Sequence, residues 1–156
     1  KKDGAYTIPN GVKVICDYAF SCSSGLTAVT IPGSFVSIED GAFNMTGLTE
    51  VTIPNGVTDV GSAVFWRCGK LTSATISKSV TTIGSLAFED CPLLATVVSL
   101  NPAPPVVGSI HRGRGMFSQS SGLISNAVLY VPKDYMNVYR RKLGWNNFRK
   151  IMPIEK

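Results

Sequence analysis

The chain has 156 residues and 44% of them are hydrophobic, which is enough for one domain with a sizeable core. No apolar run approaches the roughly 18 residues of a membrane-spanning helix, so the composition argues against a transmembrane segment. The charge is unevenly placed: residues 1–100 hold six Lys/Arg and eight Asp/Glu, whereas residues 101–156 hold nine and two, giving net charges of −2 and +7.

Apolar residues recur in a fixed register along the first hundred residues. An isoleucine before a proline or serine returns at steps of 23, 22 and 23 residues, a phenylalanine follows it by twelve, and a leucine closes each copy. These positions are Ile8, Ile31, Ile53 and Ile76, then Phe20, Phe43, Phe65 and Phe88, then Leu26, Leu48, Leu71 and Leu94. The register predicts a stack of coils, with copies at about 5–26, 27–48, 49–71 and 72–94.

Each copy is predicted to form one coil with a short strand and a return path. The segment Leu-Thr-x-Val-Thr-Ile-Pro alternates apolar and polar residues and is rich in β-branched side chains, as in a strand with one buried face. Proline ends the strand because it lacks a backbone N–H, and Asn10-Gly11 and Asn55-Gly56 supply turns with positive φ. Coils stacked about 4.8 Å apart would place each phenylalanine on its counterpart.

The pattern loosens in the coil at 95–132. Ser99 takes the place of the isoleucine, and the distance to the next phenylalanine is six residues longer than in the preceding copy, so we predict an insertion at 101–115. This insertion begins with three prolines in four residues, which enforce an extended path. The ladder is expected to resume with Leu123 and with a strand at 128–132.

Residues 133–156 are predicted to cap the open end of the stack within the same domain. Asp134 is a plausible N-cap for a short helix that runs to about Lys142 and is ended by Gly144. The side chains expected to face the core are Tyr135, Val138, Tyr139, Trp145 and Phe148.

This organisation resembles the leucine-rich repeats of the BspA-like, or Treponema pallidum, type, which are abundant in surface proteins of Bacteroides and their relatives. The resemblance rests on Val51-Thr-Ile-Pro54, Val60-Gly61, Val64-Phe65, Cys68, Leu71, the copy at 83–94, and the ending Leu129-Tyr-Val-Pro132, Tyr139, Trp145, Phe148 and Ile151. It implies a right-handed, horseshoe-like, β-rich leucine-rich repeat solenoid, with irregular or 3-10 return segments and a small C-terminal helical cap. It also implies a secreted or surface-anchored binding role, often adhesive, without catalysis.

The residues themselves also disfavour catalytic and metal-binding interpretations. The single histidine, His111, stands in a Gly/Arg loop, and no nucleophile elbow or phosphate loop is present. The carboxylate pairs Glu39-Asp40 and Glu89-Asp90 recur beside the phenylalanines and indicate a solvated rim. Cys68 and Cys91 share one repeat position, which predicts stacked buried thiols, because strand-like stacking seldom gives disulfide geometry. No enzyme activity, cofactor or metal is predicted.

The outward face of the strands is the first candidate surface for binding, because horseshoe solenoids present such a sheet to their partners. Its predicted residues are Thr30, Glu50, Thr52, Ser73, Thr75 and Thr96. These side chains are small and polar, so this face would favour weak or multivalent contacts. The simpler alternative is that they only keep the sheet soluble.

The basic C-terminal third is the second candidate surface. The insertion contributes His111, Arg112 and Arg114, and the predicted helix contributes Arg140 and Arg141. An acidic glycan or the acidic surface of a host protein fits this charge, whereas the acidic repeats and the lack of a nucleic-acid motif disfavour DNA or RNA. The simpler alternative is a cap that carries cations for solubility.

The sequence therefore predicts a non-enzymatic module, extracellular or on the cell surface, that binds a protein and adheres to host or matrix components. The alternatives are a structural spacer or accessory domain of a larger surface protein, and acidic-glycan binding through the basic third. The first repeat begins without a polar cap, so we expect the chain to be either a mature fragment or an excised piece of a longer protein, and a lipid anchor on an upstream segment is one alternative for its attachment.

Overall fold

The structure is a computed structural model that describes residues 2–34, 37–108, 116–119, 122–123 and 126–155. In chain order its elements are β1 (Gly4–Thr7), β2 (Val14–Ile15), β3 (Leu26–Thr30), β4 (Ser37–Ile38), β5 (Glu50–Ile53), β6 (Asp59–Val60), β7 (Ser73–Ile76), β8 (Thr82–Ile83), β9 (Thr96–Ser99), β10 (Val106–Val107), β11 (Ser118–Gln119), β12 (Gly122–Leu123), β13 (Val128–Val131), a 3-10 turn (Lys133–Tyr135), α1 (Met136–Arg141) and β14 (Lys150–Pro153). Successive coils stack through parallel strands, and the predicted solenoid is confirmed.

The strand side of the coils forms a parallel sheet in the order β5-β7-β9-β13-β14, which we call the major sheet. Its inward residues are partners in register: Val51, Ala74, Val97, Leu129 and Ile151 in one row, and Ile53, Ile76 and Ser99 in another. All of these inward side chains are buried. The alternation of apolar and polar residues in the repeat thus becomes one buried and one outward face.

The sheet is interrupted between β3 and β5, because β3 pairs with β1 in a separate two-stranded sheet. The step from Ile31 to Ile53 is one residue shorter than the steps on either side of it, and the missing residue falls between Phe43 and Leu48, at the turn that contains Gly47. A Cβ at Gly47 would lie 2.1 Å from the carbonyl oxygen of Ser24. Thr49 N donates to Thr27 O at 3.3 Å where the copies meet, but the strands that follow form no ladder. We attribute the break to this short turn.

The return path holds a second parallel sheet, in the order β10-β8-β6-β4-β2. The return segments are otherwise irregular, as predicted, and each of these five coils contributes a two-residue strand whose second residue stacks on its counterpart. The stacked residues are Ile15, Ile38, Val60, Ile83 and Val107. The predicted turn glycines, Gly11 and Gly56, have φ of +91° and +102°.

The phenylalanines form the predicted ladder through the core. The rings of Phe20, Phe43, Phe65, Phe88 and Phe117 stack with successive centroid distances of 5.0, 5.7, 5.1 and 5.2 Å. Trp145 and Phe148 then close the ladder with edge-on contacts to Phe117, at 5.7 and 4.8 Å. The prediction that both C-terminal aromatic rings belong to the core is confirmed.

The C-terminal helix differs from the prediction. Asp134 is not its N-cap but lies in the preceding 3-10 turn, while Tyr135 takes the N-cap position without a side-chain cap hydrogen bond. The helix ends at Arg141. Of the three residues predicted to form its apolar stripe, Tyr139 is buried, but Tyr135 and Val138 are exposed. Tyr135 precedes the six-residue helix at its N-cap, and within the helix Tyr139 is the buried residue.

The remainder of the C-terminal segment lengthens the major sheet as well as closing the core. After the buried Phe148, β14 pairs in parallel with β13, so a strand follows the helix that the sequence predicted as a cap. Leu123 was expected to resume the repeat ladder, but its backbone lies in β12, which forms a short antiparallel hairpin with β11.

Buried polar groups join the C-terminal segment to the last coils. The Tyr139 hydroxyl donates to the carbonyl of Asn101 at 2.7 Å and lies 2.7 Å from the Ser99 hydroxyl, which replaces the ladder isoleucine. Trp145 Nε1 donates to the Pro105 carbonyl at 3.0 Å. The serine that loosens the repeat pattern is therefore the partner of a cap side chain.

The two buried cysteines lie in register, as predicted, and are free thiols. Cys68 Sγ donates to the carbonyl of Phe43 at 3.2 Å, and Cys91 Sγ donates to that of Phe65 at 3.1 Å, one coil away in each case. Burial raises the pKa of both thiols. They act as small core side chains that satisfy backbone carbonyls of the neighbouring coil.

Candidate interaction surface

The outward residues of the major sheet form two rows, which together we call the outer sheet face. One row contains Glu50, Ser73, Thr96, Val128 and Lys150, and the other contains Thr52, Thr75, Val98, Tyr130 and Met152. Residues within a row are paired across neighbouring strands, so their side chains are about 5 Å apart at the Cβ atoms. The structure thus brings together five of the six predicted residues of this surface.

In the C-terminal half of the outer sheet face one row is apolar, and two of its residues, Tyr130 and Met152, were not predicted from the sequence. Val98 and Tyr130 are half-buried, and Met152 is 36% exposed. Tyr130 and Met152 were overlooked because their strands follow an insertion and a helix. The available signal was the alternation Lys150-Ile-Met-Pro153 after Phe148, which repeats the buried-then-outward order of the earlier strands.

The sixth predicted residue, Thr30, lies across the break in the sheet. Because β3 and β5 are not paired, a cleft of about 350 Å³ opens between them. Its lining includes Thr30 on one side and Glu50, Thr52 and Pro54 on the other. The N-terminal end of the outer sheet face is therefore a concave site with hydroxyls and one carboxylate at its walls.

Two of the predicted basic residues, Arg140 and Arg141, do not belong to the outer sheet face. Arg140 and Arg141 are exposed on α1, where Arg140 donates to the Asn137 side chain at 3.3 Å. His111, Arg112 and Arg114 lie outside the described residues, so the structure does not test whether they join these cations.

The described residues hold no group of three or more His, Cys, Asp or Glu side chains that could bind a metal ion. The carboxylates beside the phenylalanines were predicted to form a solvated rim, but Glu89 is buried, and Asp90 lies 3.6 Å from Arg67 Nε. Hydroxyl donors from Thr58 and Thr82 lower the pKa of Asp59 on the return sheet. These carboxylates are held by structural contacts in the solenoid.

Among the described residues no helix is long and apolar enough to cross a bilayer.

Comparisons with known proteins identify the repeat. A sequence model described as BspA type leucine rich repeat region (6 copies) matches residues 4–103. A leucine rich cell surface protein from Faecalibacterium prausnitzii A2-165 is 18% identical, with a TM-score of 0.49 over 99% of this chain and 60% of that one. A leucine-rich repeat protein from Bacteroides ovatus ATCC 8483 is 15% identical, with a TM-score of 0.32 over 97% and 61%. This chain thus spans about three fifths of each solved relative, and no curated protein matches it.

Proposed function

This chain belongs to the BspA-type leucine-rich repeat family, and we propose that it is a protein-interaction module whose outer sheet face is the binding surface. The observation that carries this proposal is the apolar row of Val98, Tyr130 and Met152 on three adjacent paired strands. Aromatic and methionine side chains are enriched where protein interfaces bury their central contacts.

Polar residues of the outer sheet face border this apolar row. Glu50 and Lys150 are exposed at opposite ends of one row, and half-buried hydroxyls lie between them. A partner that buries Tyr130 and Met152 would be held in register by these polar groups, which contribute specificity more than affinity. The cleft at Thr30 and Glu50 would accept a side chain of the partner at the other end.

We further propose that the module works at the cell surface or outside the cell, where it adheres to host or matrix proteins. The surface is modest in size and has one aromatic residue, which favours weak contacts that become effective when several copies or neighbouring domains act together. Anchoring through an upstream lipid stays a prediction of the sequence.

The proposal is tested with an array of immobilised extracellular-matrix proteins and mucins, probed with the domain at low and high salt. We expect binding that changes little with salt, because its central contacts are apolar. The double substitution Tyr130→Ser with Met152→Ser should weaken the binding at least about tenfold, because it removes two side chains that the partner would bury. Tyr18→Asn is the matched control, because Tyr18 is an exposed tyrosine outside the major sheet.

Three outcomes would argue against this assignment. Binding that disappears at high salt and survives the double substitution would indicate that the site lies in the basic C-terminal third. Equal losses with Tyr18→Asn would indicate a general effect on folding, which circular dichroism of each variant would detect. A folded domain that binds nothing on the array would favour the structural-spacer alternative.

A further inference from the structure

The C-terminal helix leaves apolar and basic side chains together at the surface. Val138 is 48% exposed and Leu143 is 64% exposed, although both are large apolar residues. Val138 lines one shallow cleft together with Arg141 and Lys142. We call the four residues Val138, Arg141, Lys142 and Leu143 the cap surface.

The backbone around Leu143 holds this side chain outward. The Tyr139 side chain is buried before it and that of Trp145 is buried after it, and Trp145 N donates to Lys142 O at 3.0 Å. Between them, Gly144 is buried with φ of +86°, and a Cβ on it would lie 3.0 Å from a methyl group of Val107. Leu143 is thus fixed between two anchored residues, and its side chain stays 64% exposed against the described part of the chain.

The charge around the cap surface is unbalanced. Residues 126–155 contain the cations Lys133, Arg140, Arg141, Lys142, Arg149 and Lys150, and the anions Asp134 and Glu155. Both anions line a different cleft, which Lys133 shares. Across the described ranges, the ion pair within 4.0 Å is Arg67–Asp90, which lies in the repeats. The cations of the cap surface therefore keep their charge available to a partner.

We propose that the cap surface docks on an anionic lipid bilayer. Arg141 and Lys142 would contact lipid phosphates, while Leu143 and Val138 would enter the interfacial region below them. A soluble polyanion would contact the cations alone, whereas a bilayer also binds exposed apolar side chains that insert beside them. Tyr135, which is exposed at the start of the helix, adds an aromatic ring of the kind that prefers this interface. The inference does not rest on the proposed function of the outer sheet face.

The test is co-sedimentation of the whole chain with phosphatidylglycerol vesicles and with phosphatidylcholine vesicles. We expect binding to the anionic vesicles alone, weakened roughly 30-fold by Arg141→Ser with Lys142→Ser. Leu143→Ser with Val138→Ser should weaken it at least about tenfold while the charge stays the same. Leu93→Ser is the matched control, because Leu93 is 56% exposed but lies in the acidic repeats, and it should leave binding unchanged.

Several results would overturn the inference. One is the absence of binding to anionic vesicles by a folded protein, and another is binding that survives the apolar double substitution. Equal binding to dextran sulfate, lost with the cations but not with Leu143 and Val138, would identify a polyanion site. Circular dichroism would show whether the double variant stays folded, and Leu143→Ser alone provides a second, milder variant.

Discussion

The hydroxyl of Tyr139 is one of the buried polar groups through which the C-terminal segment holds the last coils of the repeats. It is buried between the Ser99 hydroxyl and the Asn101 carbonyl, each at 2.7 Å. Tyr139→Phe should lower the free energy of unfolding by about 1–3 kcal/mol, because both partners would remain buried without it. Urea denaturation followed by circular dichroism measures this loss, and a change below about 0.5 kcal/mol would show that the contact is dispensable.

The burial of Tyr139 also makes the stability of the fold depend on pH. Burial raises the pKa of Tyr139 from 10.0 to about 12. The folded state therefore holds the phenolic proton more tightly than the unfolded state does, so this stabilisation is complete below pH 10 and is lost as the pH rises from 10 toward 12. Stability curves of the wild type and Tyr139→Phe should converge over that range, and parallel curves would contradict the assignment.

The cysteines should differ sharply in reactivity. Cys16 is exposed, whereas Cys68 and Cys91 are buried and have raised pKa values. In the folded protein an alkylating reagent therefore cannot reach the two buried thiols, and these thiols stay protonated. Alkylation with iodoacetamide at pH 8, read by mass spectrometry, should label Cys16 more than about 100-fold faster than either buried thiol. In denaturant the three rates should become similar. Rapid labelling of Cys91 in the folded protein would contradict the stacked core.

At the scale of elements, the phenylalanine ladder is the main packing feature of the core. Phe65 is fully buried between the rings of Phe43 and Phe88, while Phe20 lies half-buried near the N-terminal end. Phe65→Ala should cost about 3–5 kcal/mol of stability, and Phe20→Ala should cost clearly less, because it is covered on fewer sides. Denaturant unfolding measures both losses of stability, and equal values would mean that Phe20 is packed as tightly as Phe65.

The sequence predicted the repeating elements well because their register is periodic, and it failed where the period changes. The strands of the copies and the ladder at Phe65 follow from spacing. The break after β3 depends on the close approach of Gly47 to Ser24, which the missing residue in that copy hints at but does not determine. The strand β14 follows a helix, so no repeat spacing led to Met152.

For the molecule as a whole, the structure places five of the six predicted polar residues on one sheet face and adds apolar residues to it, while the binding role of this face stays a proposal. Glu50, Ser73 and Thr96 do share a row, yet Tyr130 and Met152, which we expect to contribute most of the binding energy, came from the structure. The pairing of distant strands determines which residues lie side by side. That pairing depends on how the insertion and the C-terminal segment pack, which spacing alone does not encode.

Hydroxyl-radical footprinting of the domain, with and without a partner found on the protein array, tests whether the partner binds the outer sheet face. Met152 and Met45 make a matched pair, since they are 36% and 41% exposed and oxidise by the same chemistry. The outer sheet face predicts that the partner protects Met152 severalfold and leaves Met45 unchanged. Protection of neither methionine, or of Met45 alone, would contradict binding through this face.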